Sequence, residues 1–213
     1  MKINLNEITK QSKHELSRVP LKYVYDQLKQ KGFLIFDENK IVVDIIIKYF
    51  LKDETFLKSK LVKSENSFDK GLLIFGDYGI GKTMLFETLH QIGRELILSK
   101  GNGDLYFTKI SAGRFIDDYM NEVGKNNTER RLWIEDYYKG RLYIDDLGFE
   151  KLAFNKTELL AELLFERNRK KSITFVTTNL KPSEITERYG MRIGDRLPEM
   201  FNIINWKGES HRK

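Results

Sequence analysis

Gly76-Asp77-Tyr78-Gly79-Ile80-Gly81-Lys82-Thr83 sets two glycines five residues apart and follows the second with a lysine and a hydroxyl. This is the P-loop spacing, in which backbone N–H groups and the positive end of a following helix surround phosphate oxygens. Lys82 can reach β- and γ-phosphates, and the Thr83 hydroxyl can ligate Mg²⁺. Side chains at Gly76 and Gly81 are expected to obstruct the phosphate and to resist the loop's dihedrals. The candidate binding residues are therefore Gly76, Asp77, Tyr78, Gly79, Ile80, Gly81, Lys82, Thr83 and Met84. Further along, Leu142-Tyr143-Ile144 runs into Asp145-Asp146. An apolar strand ending in carboxylates is the Walker B form, and open α/β sheets bind ligands at that end of their strands. Asp145 is the expected Mg²⁺ ligand, and Asp146 the group that orients and polarises an attacking water. Together these residues predict binding of a nucleoside triphosphate with Mg²⁺.

The elements that must position them follow from periodicity. Leu72 to Phe75 reads as a buried strand entering the loop, and Leu85, Leu89, Ile92 and Leu96 form one face of the helix leaving it. Pro20 can open a helix over 21–31 that Gly32 ends. Phe33 to Phe36 is an apolar tetrad, and Asp37-Glu38-Asn39 reads as a turn. Lys40, Asp44, Lys48 and Lys52 fall four apart with apolar residues between, which predicts a helix over 40–52 buried around most of its circumference. Residues 105–110 read as a second strand, with Ser111 as N-cap of a helix burying Phe115, Ile116, Tyr119, Met120 and Val123. A further helix is expected over 128–139. Asn155, with Glu158 three residues on, predicts a capping box before a helix burying Leu159, Leu160, Leu163 and Leu164. Residues 173–178 and 202–206 complete a set of five strands. Strands alternating with helices imply a parallel sheet covered on both faces.

Composition narrows the function classes. The 213 residues include no cysteine, which excludes a disulfide framework and thiolate metal sites. His14, His90 and His211 are scattered without ligand spacing. The most apolar stretch, 41–51, is broken by Asp44 and Lys48 and is too short to span a bilayer, so a cytoplasmic protein without a membrane partner is expected. Of the net charge of +6, residues 1–63 hold +5, from 13 Lys and Arg against 8 Asp and Glu. An acidic partner such as nucleic acid fits that excess, as does an ordinary solvated surface. Lys125, Arg130, Arg131 and 167–171 are basic enough for phosphates, although the last group also suits a helix C-terminus, the simpler reading.

Other P-loop chemistries fit less well. Asp145-Asp146-Leu147-Gly148 matches a GTPase switch pattern, and Asn155-Lys156-Thr157-Glu158 comes close to a guanine-reading motif. Glu158 stands where that motif needs Asp, and Asn155 lies only seven positions beyond Gly148. The failed guanine motif makes ATP the expected nucleotide rather than GTP, and no arginine-rich lid of the nucleotide-kinase kind is seen in the sequence.

The motifs in this order, with Thr177-Thr178-Asn179-Leu180 and Tyr189-Gly190-Met191-Arg192-Ile193-Gly194-Asp195-Arg196-Leu197, resemble AAA+ ATPases of the DnaC/IstB group, bacterial helicase loaders and transposition helpers. The resemblance covers residues 38–213 as the ATPase domain and leaves 1–37 as a small N-terminal segment expected to dock a partner. It implies a P-loop fold with a five-stranded parallel sheet. Asn179 matches the sensor position near the γ-phosphate, and Arg196 the arginine finger inserted into a neighbouring subunit's site, with Arg192 in reserve. Arg212 is a weaker γ-phosphate sensor candidate. Only 34 residues follow Asn179, too few for a full helical lid, so a partner subunit or residues 33–52 are expected to complete the pocket. The resemblance implies ATP hydrolysis, nucleotide-dependent homo-oligomers and DNA binding, single-stranded DNA being favoured. A replicative ring helicase is the expected partner. The alternatives are a transposition helper that binds duplex DNA and recruits a transposase, and a nucleotide-gated adaptor with little turnover.

Overall fold

The computed structural model describes residues 19–125, 129 and 131–210. The N-terminal arm before residue 19, His14, Arg130, His211 and Arg212 lie outside the described residues. Five parallel strands form one sheet in the order β2-β3-β4-β1-β5: β1 Gly71–Gly76, β2 Thr108–Ser111, β3 Leu142–Leu147, β4 Thr174–Thr178 and β5 Phe201–Trp206. Helices α1 Leu21–Gln30, α2 Asp37–Phe50 and α3 Lys82–Lys100 precede β2. Helix α4 Ala112–Glu122 follows it, and α5 Leu159–Arg169 leads into β4. Among the described residues, those after Asn179 build three short helices, α6 Pro182–Tyr189, α7 Met191–Gly194 and α8 Leu197–Met200, and then β5. No described helix is long and apolar enough to cross a membrane.

Alternation along the strands divides the core into two layers, because successive strand side chains point to opposite faces. Leu72, Ile74, Tyr143, Phe175, Ile204 and Trp206 pack with α1, α2 and α3. Leu73, Phe75, Ile144, Val176 and Ile203 pack with α4, α5 and α6. Aromatic rings fill the first layer: Phe86 of α3 stacks on Tyr143 of β3 with centroids 4.6 Å apart, and Phe50 of α2 lies 4.9 Å from Phe175 of β4. Such pairs add about 0.5–1.5 kcal/mol beyond the area they bury. The P-loop helix is thereby fixed against the strand carrying the two aspartates.

Several local expectations are corrected. Helix α2 begins at Asp37, not Lys40; Asp37 and Glu38 form its first turn, and Asn39 accepts the Phe36 N–H through Oδ1 at 2.9 Å. Lys52 falls beyond α2, where its ammonium lies over the Tyr49 and Phe68 rings. Strand β2 starts at Thr108, because Leu105 and Phe107 are already buried in the first layer before the ladder forms. Ser111 occupies the N-cap position of α4 but makes no side-chain cap bond, and Val123 is exposed. Between 131 and 139 the backbone makes only a 3₁₀ turn at Ile134–Tyr137, since Trp133 is extended. Asn155 caps nothing: Phe154 and Asn155 both take positive φ in a turn closed between Ala153 and Thr157, and α5 starts at Leu159.

Arg167 is fully buried on α5. It donates to the carbonyl oxygens of Tyr137, Lys139, Gly140 and Ile173 and to Thr174 Oγ1. Burial lowers its pKa to about 10, which leaves it charged at neutral pH. This arginine is a structural fastener for the chain entering β3 and β4, not a phosphate ligand. Arg167→Ala is expected to lose about 3–5 kcal/mol of stability, because each orphaned acceptor costs about 1–3 kcal/mol. Urea unfolding checks this: the midpoint falls for Arg167→Ala and stays near wild type for Lys170→Ala.

Candidate functional site

The loop between β1 and α3 turns through left-handed glycines at Gly79 (φ 76°) and Gly81 (φ 101°). Lys82, the first residue of α3, is nearly buried, and its ammonium folds back over the loop. Nζ donates to Gly76 O at 2.8 Å, to Asp77 O at 2.6 Å and to Asn179 Oδ1 at 2.7 Å. Asn179 is there because β4 runs between β1 and β3 and Asn179 directly follows its last residue.

The two aspartates occupy a β-bulge. The β3–β4 ladder pairs Ile144 with Val176 and then Leu147 with Thr178, so Asp145 and Asp146 together face Thr177. A bulge bends its strand and re-aims the side chains in it. Asp145 Oδ1 gathers three hydroxyls, from Thr83 at 2.9 Å, Tyr143 at 2.6 Å and Thr177 at 2.6 Å. Burial, and next the Asp145 charge, push the Tyr143 phenol well above its usual pKa, so it stays protonated. Asp146 takes φ 52°, a region that Asp tolerates better than most residues, and lines a cavity of about 560 Å³.

Tyr78 to Met84 form the floor of that cavity, and Asn179, Asp146 and Phe149 its far side. Phe33, Leu34, Phe36 and Asn39, from the segment joining α1 to α2, also line it. Their placement starts at Gly32. With φ 83° it ends α1 in a Schellman motif, Gly32 N bonding Lys29 O and Phe33 N bonding Leu28 O at 2.9 Å. Asn39 then holds the segment by donating to Leu34 O at 3.1 Å and accepting from Phe36 N. Sequence reasoning named residues 33–52 as one way to complete the pocket but singled out none of these four. The signal was the apolar tetrad Phe33 to Phe36, whose Leu34 and Phe36 remain exposed.

The structure thus brings together Lys82, Thr83, Asp145, Asp146 and Asn179. Asp77 and Gly76 take part through their carbonyls rather than as cavity wall. Arg192 and Arg196 do not line this cavity; their guanidinium carbons sit 3.8 and 5.5 Å from the centre of the Phe165 ring on α5. The two named glycines also differ in role. A Cβ on Gly76 would lie 1.9 Å from Trp206 O in β5, whereas one on Gly81 would meet only Phe33 at 3.7 Å. Gly76 is required by the neighbouring strand; Gly81 is required by its dihedral. Thr83 and Asp145 offer adjacent hard oxygen donors, a set that suits Mg²⁺ sharing phosphate and water ligands. Among the described residues no group of three or more His, Cys, Asp or Glu side chains could hold a metal by itself.

No known family profile matches the chain. The chromosomal replication initiator DnaA of Lactobacillus johnsonii is 30% identical over 140 residues, 63% of this chain and 27% of that protein. The chain spans 27–30% of the length of the curated DnaA relatives it matches. Among solved structures, the DnaC helicase loader superposes with a TM-score of 0.54 at 19% identity, covering 82% of this chain and 92% of that one. A DnaA bound to AMPPCP and single-stranded DNA superposes at 0.52 with 16% identity, covering 84% of this chain and 49% of that one. The fold is that of an AAA+ P-loop NTPase.

Gly76→Ala is expected to unfold the chain or lower its melting temperature severely, because the added carbon strikes backbone. Gly81→Ala is expected to fold at a strain cost of about 1–3 kcal/mol. Thermal melts of the two variants compare them; equal losses would contradict the assigned roles.

Proposed function

We propose that this chain binds Mg·ATP in the cavity above Lys82 and hydrolyses it as an AAA+ ATPase in the initiation of DNA replication, acting as a loader of a ring helicase on single-stranded DNA. The observation that carries the reading is the convergence of Lys82, Asn179 and the Thr83–Asp145 pair at one mouth of the sheet. The likeness to DnaA and to the DnaC loader favours replication over the transposition-helper alternative.

In this reading phosphate oxygens exchange with the carbonyls now holding the Lys82 ammonium, and Asn179 stays beside it to place the attacking water. Asp146 accepts a proton from that water or polarises it, from the wall of the cavity. Mg²⁺, held at Thr83 and Asp145, would neutralise charge developing on the β- and γ-oxygens. Tyr143 and Thr177 keep Asp145 Oδ1 in place while Thr83 turns a lone pair outward. The wall of Phe33, Leu34, Phe36 and Ile80 is apolar and suits a nucleobase. Arg196, set away from this cavity, is assigned to the site of a second copy, with Arg192 in reserve. Residues 1–37 are assigned to partner docking.

Turnover of purified protein, with and without single- or double-stranded DNA, tests the reading. Lys82→Ala is expected to abolish binding of a fluorescent ATP analogue, and Asp146→Asn to bind it without turnover. Arg196→Ala is expected to bind normally and lose about 10³–10⁵ in rate, the range for an arginine supplied in trans. Mixing it with Lys82→Ala subunits should restore activity. Turnover that is DNA-independent and indifferent to Arg196 would overturn the loader mechanism.

A further inference from the structure

Beyond the bulge, the chain from Asp146 to Glu150 leaves the sheet through two positive-φ residues, Asp146 and Gly148 (φ 97°). Such backbone persists only where its surroundings over-determine it. Here they do. Leu147 O accepts from Thr178 Oγ1 at 2.6 Å, and Phe149 N donates to Asp146 O at 3.1 Å. Further bonds come from α6: the Arg188 guanidinium donates to Gly148 O with one nitrogen and to Glu150 O with the other. The Glu150 carboxylate, buried, accepts the Gly148 N–H at 2.8 Å and the Tyr189 hydroxyl, and lies 3.3 Å from Arg188 Nη2. Arg188 Nε sits 3.5 Å from Glu158 Oε1 on the far side.

We propose that Arg188 is a positioning residue for Asp146: it clamps the loop that aims this aspartate into the cavity, and it ties that aim to the segment of short helices that holds Arg192 and Arg196. The functional half of this inference rests on the nucleotide-site reading. Arg188 lies on α6, and α6 runs through Gly190 straight into α7, where Arg192 sits on the Phe165 ring. A second copy that engages Arg192 or Arg196 pulls on the short helices that hold Arg188. The guanidinium's planar fork transmits that pull to two carbonyls of the loop at once. A lysine, being a point charge, bridges them poorly. Assembly would therefore be sensed at Asp146 through Arg188.

Amide exchange, nucleotide binding and turnover on full-length protein test this in Arg188→Gln, Arg188→Lys and Glu150→Gln. Exchange over 146–150 is expected to accelerate about tenfold or more in Arg188→Gln, as loss of a charge-assisted hydrogen bond implies, while α5 and β4 amides keep their wild-type rates. Binding of a non-hydrolysable ATP analogue stays within threefold of wild type, and kcat falls about 100-fold, the scale of a 1 Å misplacement. Arg188→Lys recovers part of the protection and little of the rate. Glu150→Gln, which keeps shape and fold, opens the loop by a smaller step, so a poorly folding Arg188→Gln still leaves a decisive measurement. Unchanged exchange over 146–150, or a rise shared equally by α5 and β4, overturns the clamp. If the wild type neither binds nor hydrolyses nucleotide, the nucleotide reading fails, and the loop's exchange rates still decide the clamp.

Discussion

One extra residue in β3 governs the arrangement of the site. In an unbroken strand Asp145 and Asp146 would point to opposite faces of the sheet. Because both oppose Thr177 across the ladder, Asp145 turns to the Thr83 hydroxyl and Asp146 to the cavity wall, and the strand ends one residue later at Leu147. The bulge works only because β4 is its partner. β4 supplies Thr177 to hold Asp145, Thr178 to hold Leu147 O, and then Asn179 to reach Lys82. The last two residues of β4 and the one directly after it thus address three separate parts of the site, and inserting β4 between β1 and β3 is what makes that possible.

What could be read from the sequence is what depends on short-range pattern. The apolar runs gave all five strands within a few residues, and Gly76 to Thr83 and Asp145-Asp146 stood out by type and spacing. The sequence failed where two local rules compete. Asn155 with Glu158 satisfies a capping box on paper, but Asn also tolerates left-handed backbone, and the Ala153–Thr157 turn used that property instead. The basic run 167–171 reads as a solvated helix end, yet Arg167 is buried because three carbonyls from a turn about 30 residues earlier, and that of Ile173, need a donor there. Such demands arise only once the chain is folded. The same holds for Gly76, whose glycine is fixed by Trp206 O, 130 residues away in the chain.

The first described residues are tied into the core that carries the site. Val24, Leu28 and Phe33 share the packed layer of α2 and α3, and Lys31 pairs with Glu95 of α3 at 2.5 Å. That exposed pair contributes little, about 0–1 kcal/mol; burying the apolar side chains contributes more, at about 1.5–3 kcal/mol each. A force on α1 is therefore felt at Phe33, whose ring is the neighbour a side chain on Gly81 would meet. The packing that seats α1 in this layer also seats Phe33 in the wall of the cavity.

The state of Lys82 bears on how such a site recognises charge. Its ammonium is nearly buried, a costly situation unless its donors are met; Gly76 O and Asp77 O of the loop meet them together with Asn179 Oδ1 beyond β4. The ammonium already makes these bonds charge-assisted; a phosphate oxygen carries a formal charge where a carbonyl carries a partial one, and so adds an ion-pair attraction. A neutral ligand would have to displace well-formed bonds for bonds no better. A polyphosphate bound as proposed would gain on each exchange and would find the start of α3 adding its dipole. In the proposed reading the two loop carbonyls hold the lysine where an anion, rather than a neutral ligand, is the better replacement partner.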